Sequence, residues 1–244
     1  MRRFYAPREQ FSDQIIQLNL DETRHLRDVL RLREGNEINV FDGEGREFLC
    51  RIEKLGKNSS TVLIEAEIAP ASPESNLELV LAVGLLKGEK FDLVVQKAVE
   101  LGVSRIQPLF TKRSDVKFAV KETKTERWRK IALEATKQSG RAKLTRIDSP
   151  LQFESFVGGF DALSSDDEER ILFTERLGKS FKDNHEIKKI TAVVGPEGGW
   201  EDSDLDCARE NGFYLVTFGG RILRAETAAI AAAVILQHRF GDLN

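Results

Sequence analysis

Two glycine-rich segments in the last fifth of the 244-residue chain contain residue types that suit ligand binding. The first is Gly195-Pro196-Glu197-Gly198-Gly199, and the second runs from Gly219-Gly220 into Arg221-Ile222-Leu223-Arg224. Glycine lets the backbone approach a ligand closely and adopt positive φ angles. Bare N–H and C=O groups can then hydrogen-bond an adenine edge or a carboxylate. One such segment is more often an ordinary turn, but two after neighbouring strands favour a binding site.

Neither segment has the pattern of a nucleotide-phosphate site. The sequence contains no Gly-x-Gly-x-x-Gly after a strand and no complete Gly-x-x-x-x-Gly-Lys-Ser/Thr P-loop. A dinucleotide or ATP site is therefore disfavoured. A ligand held mainly by backbone and apolar contacts fits these segments better.

Charged side chains accompany both segments. Arg221 and Arg224 are three residues apart, and a guanidinium can neutralise a phosphate or a developing oxyanion through paired hydrogen bonds. The alternative for both arginines is a salt bridge to a local carboxylate. Glu197 and Glu226 are candidate proton acceptors, with solvent as the alternative.

The elements that must position these residues follow from the hydrophobic pattern. From residue 77 onward, apolar strands alternate with helical segments, which predicts an α/β domain with a mainly parallel sheet. Ligands of such sheets bind beyond the carboxyl ends of the strands, where both glycine segments lie. We predict strands at 77–86, 105–110, 170–175, 190–195 and 213–218, and helices at 91–101, 126–139, 203–211 and 226–240.

A different pattern precedes Pro70 and Pro73, which mark a boundary between domains at 1–70 and 77–244. Short, partly alternating strands are predicted at 2–6, 14–18, 37–41, 47–52 and 61–68. One helix interrupts them, with Asp21 as its predicted N-cap and an arginine-rich last turn from Arg27 to Arg33. Five short strands and a helix suggest a small β-barrel, and such barrels often dock nucleic acids.

Composition excludes several classes of protein. Hydrophobic residues make up 41% of the chain, which excludes a disordered protein. The net charge of −3 argues against indiscriminate nucleic-acid binding, yet residues 105–146 contain thirteen Lys or Arg against four acids. That segment either contacts RNA or is a solvated helix face. The five acids in 161–169 predict a surface loop.

Cysteine, histidine and hydropathy point to a cytosolic protein without a metal site. Cys50 and Cys207 have no partner at metal-ligand spacing, and the three histidines are scattered. The longest apolar run, 228–236, has nine residues, against the ~20 needed to span a bilayer. We therefore expect no membrane segment and a cytoplasmic location.

Short motifs occur along the whole chain in an order that is highly specific, although each alone is a weak match. They are Arg3-Phe4-Tyr5, His25-Leu26, Val29-Leu30-Arg31, Lys87–Asp92, Gln96–Val103, Arg127-Trp128, Glu134–Arg141, Gly195–Gly199 and Arg221–Ala228. Together they resemble the ribosomal RNA small subunit methyltransferase E family, in the SPOUT class of knotted methyltransferases.

The resemblance implies a fold and a reaction that periodicity does not predict. The family has an N-terminal PUA-like β-barrel that binds RNA. Its C-terminal α/β domain, with a mainly parallel sheet, forms a deep trefoil knot, a feature otherwise almost absent from proteins. The family works as a homodimer. It uses S-adenosyl-L-methionine to methylate N3 of one uridine in the 16S ribosomal RNA of the small subunit.

Roles for individual residues follow from this resemblance. Methylation at N3 requires loss of its proton, and the charge then spreads over O2 and O4, where Arg224 or Arg221 would stabilise it. Glu197 or Glu226 would take the proton. The cofactor would be held by Phe173, Thr174, Gly195, Pro196, Gly199, Phe218, Gly219, Ile222, Leu223, Ala225 and Thr227. The RNA would be gripped by Arg2, Arg3, Arg24, Arg27, Arg31, Lys87, Lys90, Arg113, Arg127 and Arg141.

Two departures from the family pattern concern the expected RNA contacts. Leu144-Thr145 follows Arg141 where the family often has a Leu-Pro step, and His25 stands alone where paired histidines are common. Two other functions stay open at this point. One is a non-catalytic RNA-binding assembly factor, and the other is a small-molecule oxidoreductase, which the missing dinucleotide motif disfavours.

Overall fold

The computed structural model describes residues 2–114, 122–160, 167–176, 178–179 and 187–243. The chain forms two compact units. The first comprises residues 1–74 together with 136–144, and the second comprises 75–135 together with 145–244. Within the described residues, no helix is both long enough and apolar enough to cross a bilayer.

The first unit is built on a six-stranded sheet. Its strands are β1 (Arg3–Tyr5), β2 (Phe11–Ser12), β3 (Ile15–Leu18), β4 (Glu37–Phe41), β5 (Glu47–Leu55) and β6 (Ser60–Ile68), arranged in the order β1-β4-β5-β6-β3-β2. Pairing is antiparallel except between β1 and β4. Alternate side chains such as Ile38, Val40, Cys50 and Ile52 point into one apolar core.

The helix of this unit begins two residues earlier than predicted. The side chain of Asn19 accepts a 3.0 Å hydrogen bond from the N–H of Glu22, so Asn19 is the N-cap of α1 (Leu20–Arg24). The prediction of Asp21 as the cap was wrong, because Asp21 lies in the first helical turn, where an acid still complements the helix dipole. A single π-helical turn, His25–Val29, follows α1.

The buried side chain of Arg3 joins the start of the chain to the segment 136–144. Its guanidinium forms a salt bridge with Glu47, with Nη2 and Oε2 2.8 Å apart. It also donates to the carbonyl oxygens of Thr136, Lys137 and Arg141 at 2.9–3.2 Å. All five guanidinium N–H groups are therefore used inside the first unit.

The second unit contains the predicted mainly parallel sheet, and this prediction is confirmed. Its strands are β7 (Glu78–Gly84), β8 (Arg105–Phe110), β9 (Arg146–Ile147), β10 (Leu151–Gln152), β11 (Glu168–Phe173), β12 (Lys189–Val194) and β13 (Tyr214–Val216). The order is β10-β8-β7-β12-β11-β13, with β9 beside β8, and each pair is parallel.

Helices cover both faces of this sheet, which explains the nearly continuous burial of β7. They are α2 (Lys90–Glu100), α3 (Glu122–Ser139), α4 (Phe153–Val157), α5 (Asp202–Glu210) and α6 (Ala225–Phe240). Successive side chains of a strand point to opposite faces. Leu81 therefore packs in the cluster that includes α2 and α6, whereas Ala82 packs in the cluster that includes α4 and α5.

The differences from prediction concern short elements and element ends. The strand predicted at 170–175 is shifted to Glu168–Phe173, so the last residues of the predicted acidic loop begin β11 instead. Residues 163–166 of that loop lie outside the described residues. The short elements β2, β9, β10 and α4 were not predicted, because two to five residues are too few to show a hydrophobic period.

Candidate active site

Three strands of the second unit end side by side, and their loops surround a cavity. In the sheet register Phe173 of β11 is paired with Val194 of β12 on one side and with Val216 of β13 on the other. The loops that follow these three strands therefore leave the sheet side by side at the same edge. They line a cavity of about 420 Å³, within the ~300–1,000 Å³ range of small-molecule sites.

The loop after β11 forms an apolar wall of the cavity. The N–H of Thr174 donates to the carbonyl of Val216 at 2.9 Å, which continues the pairing with β13 by one residue. The Thr174 hydroxyl accepts the N–H of Arg176 at 3.3 Å and turns the chain. The rings of Phe173 and Phe218 stack with centroids 4.5 Å apart and planes 7° from parallel.

The loop after β12 requires its glycines and is fixed by Trp200. A Cβ on Gly195 would lie 2.9 Å from the Trp200 indole, so only glycine fits there without a shift. Gly199 has a φ of +68°, which favours glycine, and its N–H closes a turn to the Pro196 carbonyl at 3.0 Å. The indole Nε1 of buried Trp200 donates to the carbonyl of Phe173 at 2.9 Å.

The loop after β13 presents its arginines without local partners. Arg221 and Arg224 are exposed, and neither forms an ion pair with any described residue. The local salt bridges considered as an alternative are therefore not formed with any residue that the structure describes. Arg224 has extended φ and ψ angles of −63° and 150° and is the N-cap residue of α6. The adjacent N-terminus of this 16-residue helix adds a partial positive charge to the cavity.

The two candidate proton acceptors differ in their surroundings. Glu197 is bound by Lys90, with Oε1 and Nζ 2.7 Å apart, and both residues line the cavity. Glu226 also lines the cavity, but its Oε2 is buried and has no hydrogen-bond partner among the described residues. A buried acceptor without a partner is costly. Glu226 therefore offers a binding position to a donor group on a ligand.

Most of the residues predicted to hold the cofactor are brought together here. The cavity lining includes Phe173, Thr174, Gly195, Pro196, Gly199, Phe218, Ile222, Leu223 and Ala225, together with the predicted catalytic Arg221, Arg224 and Glu197. Gly219 and Thr227, also predicted, are not among the lining residues. Trp200 lines the cavity and was missed, because a single tryptophan after a glycine pair has no periodic signal.

The residues predicted to bind RNA fall into two groups. Arg3 was predicted to contact RNA, but its buried guanidinium has no N–H left for a phosphate, so it is a structural residue. Arg141 is likewise buried and bound to Glu74 at 2.7 Å, and we correct its role in the same way. The other predicted contacts retain partial or full exposure, namely Arg2, Arg24, Arg27, Arg31, Lys87, Lys90, Arg113 and Arg127.

Some of the exposed basic residues are held by neighbouring groups. Arg127 is held by Asp92 at 2.7 Å and by Glu89, and the hydrogen bond that it donates to the Asp92 carboxylate raises the pKa of this guanidinium. Arg113 lies against the carbonyl of Gly198 at 3.4 Å, beside the loop after β12. Lys117 and Lys121 of the basic segment lie outside the described residues.

The sequence matches two family models. Residues 73–237 match an RNA methyltransferase domain, and residues 18–65 match an RNA methyltransferase PUA domain. Together with the parallel sheet, these matches confirm the predicted fold class of a PUA-like domain followed by an α/β methyltransferase domain. The trefoil knot stays a prediction.

Similar proteins include two curated relatives and one solved structure. A ribosomal RNA small subunit methyltransferase E from Synechocystis is 33% identical over 95% of this chain and 75% of its own length. The protein of the same name from Aquifex aeolicus is 31% identical over 98% and 100%. The Neisseria gonorrhoeae member, solved bound to S-adenosyl methionine, is 33% identical with a TM-score of 0.89 over both full chains.

Proposed function

The chain belongs to the ribosomal RNA small subunit methyltransferase E family, and on this premise we propose that it methylates N3 of a uridine in 16S ribosomal RNA. The observation that carries the proposal is the composition of the cavity at the three strand ends. It combines two arginines and a buried carboxylate oxygen, none of which is paired with a described residue, with a helix N-terminus. These groups suit a ligand with donor groups and a reaction in which negative charge develops.

The residues of the cavity fit S-adenosylmethionine as the cofactor. Tight glycine turns at Gly195 and Gly199 leave backbone groups at the cavity wall, and the stacked Phe173 and Phe218 supply an apolar surface. When bound, the cofactor supplies a methyl group activated by a sulfonium.

Arg221 and Arg224 are proposed to stabilise the uracil anion. Removal of the N3 proton leaves charge on O2 and O4, and a guanidinium beside either oxygen lowers the energy of that anion. Both arginines are exposed at the cavity and are not neutralised by a described carboxylate, so their charge is available to a substrate. The N-terminus of α6 contributes in the same direction.

Glu226 is the proton acceptor that we favour over Glu197. The carboxylate of Glu197 already has a partner, because its Oε1 lies 2.7 Å from the ammonium nitrogen of Lys90. Glu226 has a free buried oxygen in the same cavity. A hydrogen bond from N3–H to that oxygen would place the proton acceptor within reach before the methyl group is transferred.

The first unit and the eight partly or fully exposed residues of the predicted RNA contacts are proposed to bind the RNA. Uridine in folded RNA must leave its stack to enter a cavity of this kind. Phosphate contacts by the exposed arginines and lysines would hold the neighbouring strand and make binding depend on salt. We further propose that the enzyme acts as a homodimer on the small ribosomal subunit in the cytoplasm.

The proposal is tested by incubating purified protein with small ribosomal subunits and S-adenosylmethionine carrying a labelled methyl group. Digestion of the RNA and separation of its nucleosides should yield labelled 3-methyluridine. Label in a different nucleoside would contradict the N3 assignment. Cofactor binding in calorimetry without any transfer of label would instead favour an RNA-binding assembly factor.

A further inference from the structure

A short segment of the first unit projects from the core between two buried leucines. Leu26 and Leu32 both belong to the apolar core, and the N–H of Leu32 donates to the carbonyl of Leu26 at 3.0 Å. This hydrogen bond closes a loop that is formed by residues 27–31. We call residues 24–33 the arginine tip, because four of its ten residues are arginines.

The backbone of the arginine tip has an unusual, fixed conformation. The N–H of Leu30 donates to the carbonyl of His25 at 3.0 Å and closes a π-helical turn, which occurs frequently at functional sites. Arg31 has a φ of +52°, a left-handed conformation that is unfavourable for residues other than glycine. Arg27 braces the tip through hydrogen bonds to Asp28 and to the carbonyls of Gly56 and Lys57.

The side chains presented by this conformation are both apolar and cationic. Val29 is 68% exposed and Leu30 is 37% exposed, so the tip carries apolar surface in contact with water. Arg24, Arg31 and Arg33 are also exposed, and none forms an ion pair with a described residue.

Two other exposed arginines of the same unit do have carboxylate partners. Arg46 pairs with Glu67 at 2.8 Å, and Arg51 pairs with Glu65 at 2.5 Å. The arginine tip differs from these two sites, because three of its arginines form no ion pair with a described residue. They leave a concentrated positive charge around Val29 and Leu30.

We propose that the arginine tip docks on RNA, with Val29 and Leu30 packed against the face of an unpaired or helix-end base. Arg24, Arg31 and Arg33 would neutralise phosphates on either side of that base. Phosphate contacts position a protein on nucleic acid, and apolar side chains of other RNA- and DNA-binding proteins wedge beside exposed or unstacked bases. The inference rests on the proposed function, in which the substrate is ribosomal RNA.

The two kinds of contact predict different responses to salt. Each phosphate contact releases condensed counterions. It makes the slope of log K against log salt more negative by about 0.7–0.9. Apolar packing releases no counterions. Substitution of the arginines should therefore reduce the salt dependence, whereas substitution of Val29 should weaken binding without changing that dependence.

The experiment measures binding of small ribosomal subunits between 50 and 200 mM salt (about the range over which counterion release is usually resolved). Val29→Ser should weaken binding by about fivefold to tenfold with an unchanged slope, as expected for loss of one apolar side-chain contact. The triple variant Arg24→Gln, Arg31→Gln, Arg33→Gln should make the slope of log K against log salt less negative by about 2–3. Ile15→Ser, which removes a 40% exposed side chain from β3 of the same unit, is the matched apolar control and should bind normally.

A second pair of variants controls for the loss of charge. Arg46→Gln with Arg51→Gln removes two positive charges outside the tip and should leave the slope within error of wild type. On Val29→Ser, a hairpin RNA with a bulged base should lose affinity by a larger factor than the same hairpin without the bulge, which offers only its loop and helix-end bases. Normal binding by Val29→Ser, or an unchanged slope in the triple variant, would overturn the proposal.

The experiments distinguish a wrong proposal for the arginine tip from a wrong proposal for the function of the protein. If wild-type protein methylates small subunits but the tip variants bind them normally, only the tip proposal is wrong. If wild-type protein transfers no methyl group and binds no RNA, the proposed function is wrong as well. Binding of the tip to an acidic protein in place of RNA would also overturn the proposal.

Discussion

The indole nitrogen of Trp200 donates a 2.9 Å hydrogen bond to the carbonyl oxygen of Phe173. This bond joins the loop after β12 to the last residue of β11, and both residues line the cavity. The ring also fills the space that a side chain at Gly195 would occupy. Trp200 therefore fixes the spacing of two of the three loops that form the site.

Trp200→Phe should impair cofactor binding more than it impairs folding. The phenyl ring retains most of the packing, but the Phe173 carbonyl loses its donor, at a cost of about 1–3 kcal/mol. Urea denaturation measures this cost, and calorimetry measures the affinity for S-adenosylmethionine, which should fall several-fold. Trp128→Phe is the matched control, because the Trp128 indole donates to Asp92 at 3.0 Å and does not line the cavity. Equal losses of cofactor affinity in both variants would contradict this role.

Arg224→Ala should slow methyl transfer without weakening cofactor binding. Loss of one donor to a developing oxyanion typically reduces the rate by about 10²–10³. Single-turnover rates at saturating subunits and cofactor measure the effect, and Arg221→Ala tested in parallel shows which arginine dominates. Arg209→Ala is the control, since Arg209 pairs with Asp206 on α5. A wild-type rate in both cavity variants would remove the arginines from the mechanism.

Glu226→Gln should reduce the single-turnover rate much more than Glu197→Gln. Glutamine keeps the size and one acceptor of Glu226 but cannot take the N3 proton. Glu197 is already neutralised by Lys90, so its loss should have a smaller effect. The cofactor affinity of each variant is measured alongside. A Glu226→Gln variant that loses cofactor affinity but keeps its rate would identify Glu226 as a cofactor ligand instead of a base.

Arg3→Met should strongly destabilise the protein, although Arg3 is far from the cavity in sequence. The substitution leaves the Glu47 carboxylate buried without its partner, which typically costs about 3–5 kcal/mol. Arg46→Met breaks the exposed pair with Glu67 and should cost at most about 1 kcal/mol. Urea denaturation of both variants gives the comparison. Similar free energies of unfolding for Arg3→Met and Arg46→Met would show that the buried pair contributes little to stability.

Cys50 should resist alkylation in the folded protein at pH 8. Burial raises the pKa of its thiol to about 12, so the reactive thiolate is almost absent below that pH. Iodoacetamide labelling followed by mass spectrometry should detect Cys50 only after denaturation. Cys207, whose pKa is also raised but which is partly exposed, should label faster in the native state. Labelling of native Cys50 at the rate of a free thiol would contradict the burial.

The sequence by itself determined the alternation of strands and helices in the second unit and the positions of its glycine loops. These features are local, because burial on a strand or helix repeats every two or about 3.6 residues and is visible in the residue order. The bounds of β4 and β8 were predicted to the residue. Residues Gly195, Pro196 and Gly199 were likewise placed correctly at the cavity, since a strand followed by glycines exposes backbone at the sheet edge.

The tertiary structure alone decided what the charged side chains do. Arg3 and Arg24 were both predicted to contact RNA, yet the Arg3 guanidinium is bound by Glu47 and by carbonyl oxygens more than 130 residues away, whereas Arg24 is exposed to water. Glu197 and Glu226 were equivalent candidates until the structure placed Lys90 beside only one of them. The availability of a charge depends on partners that the fold brings together from distant positions, and no local period in the sequence encodes those partners.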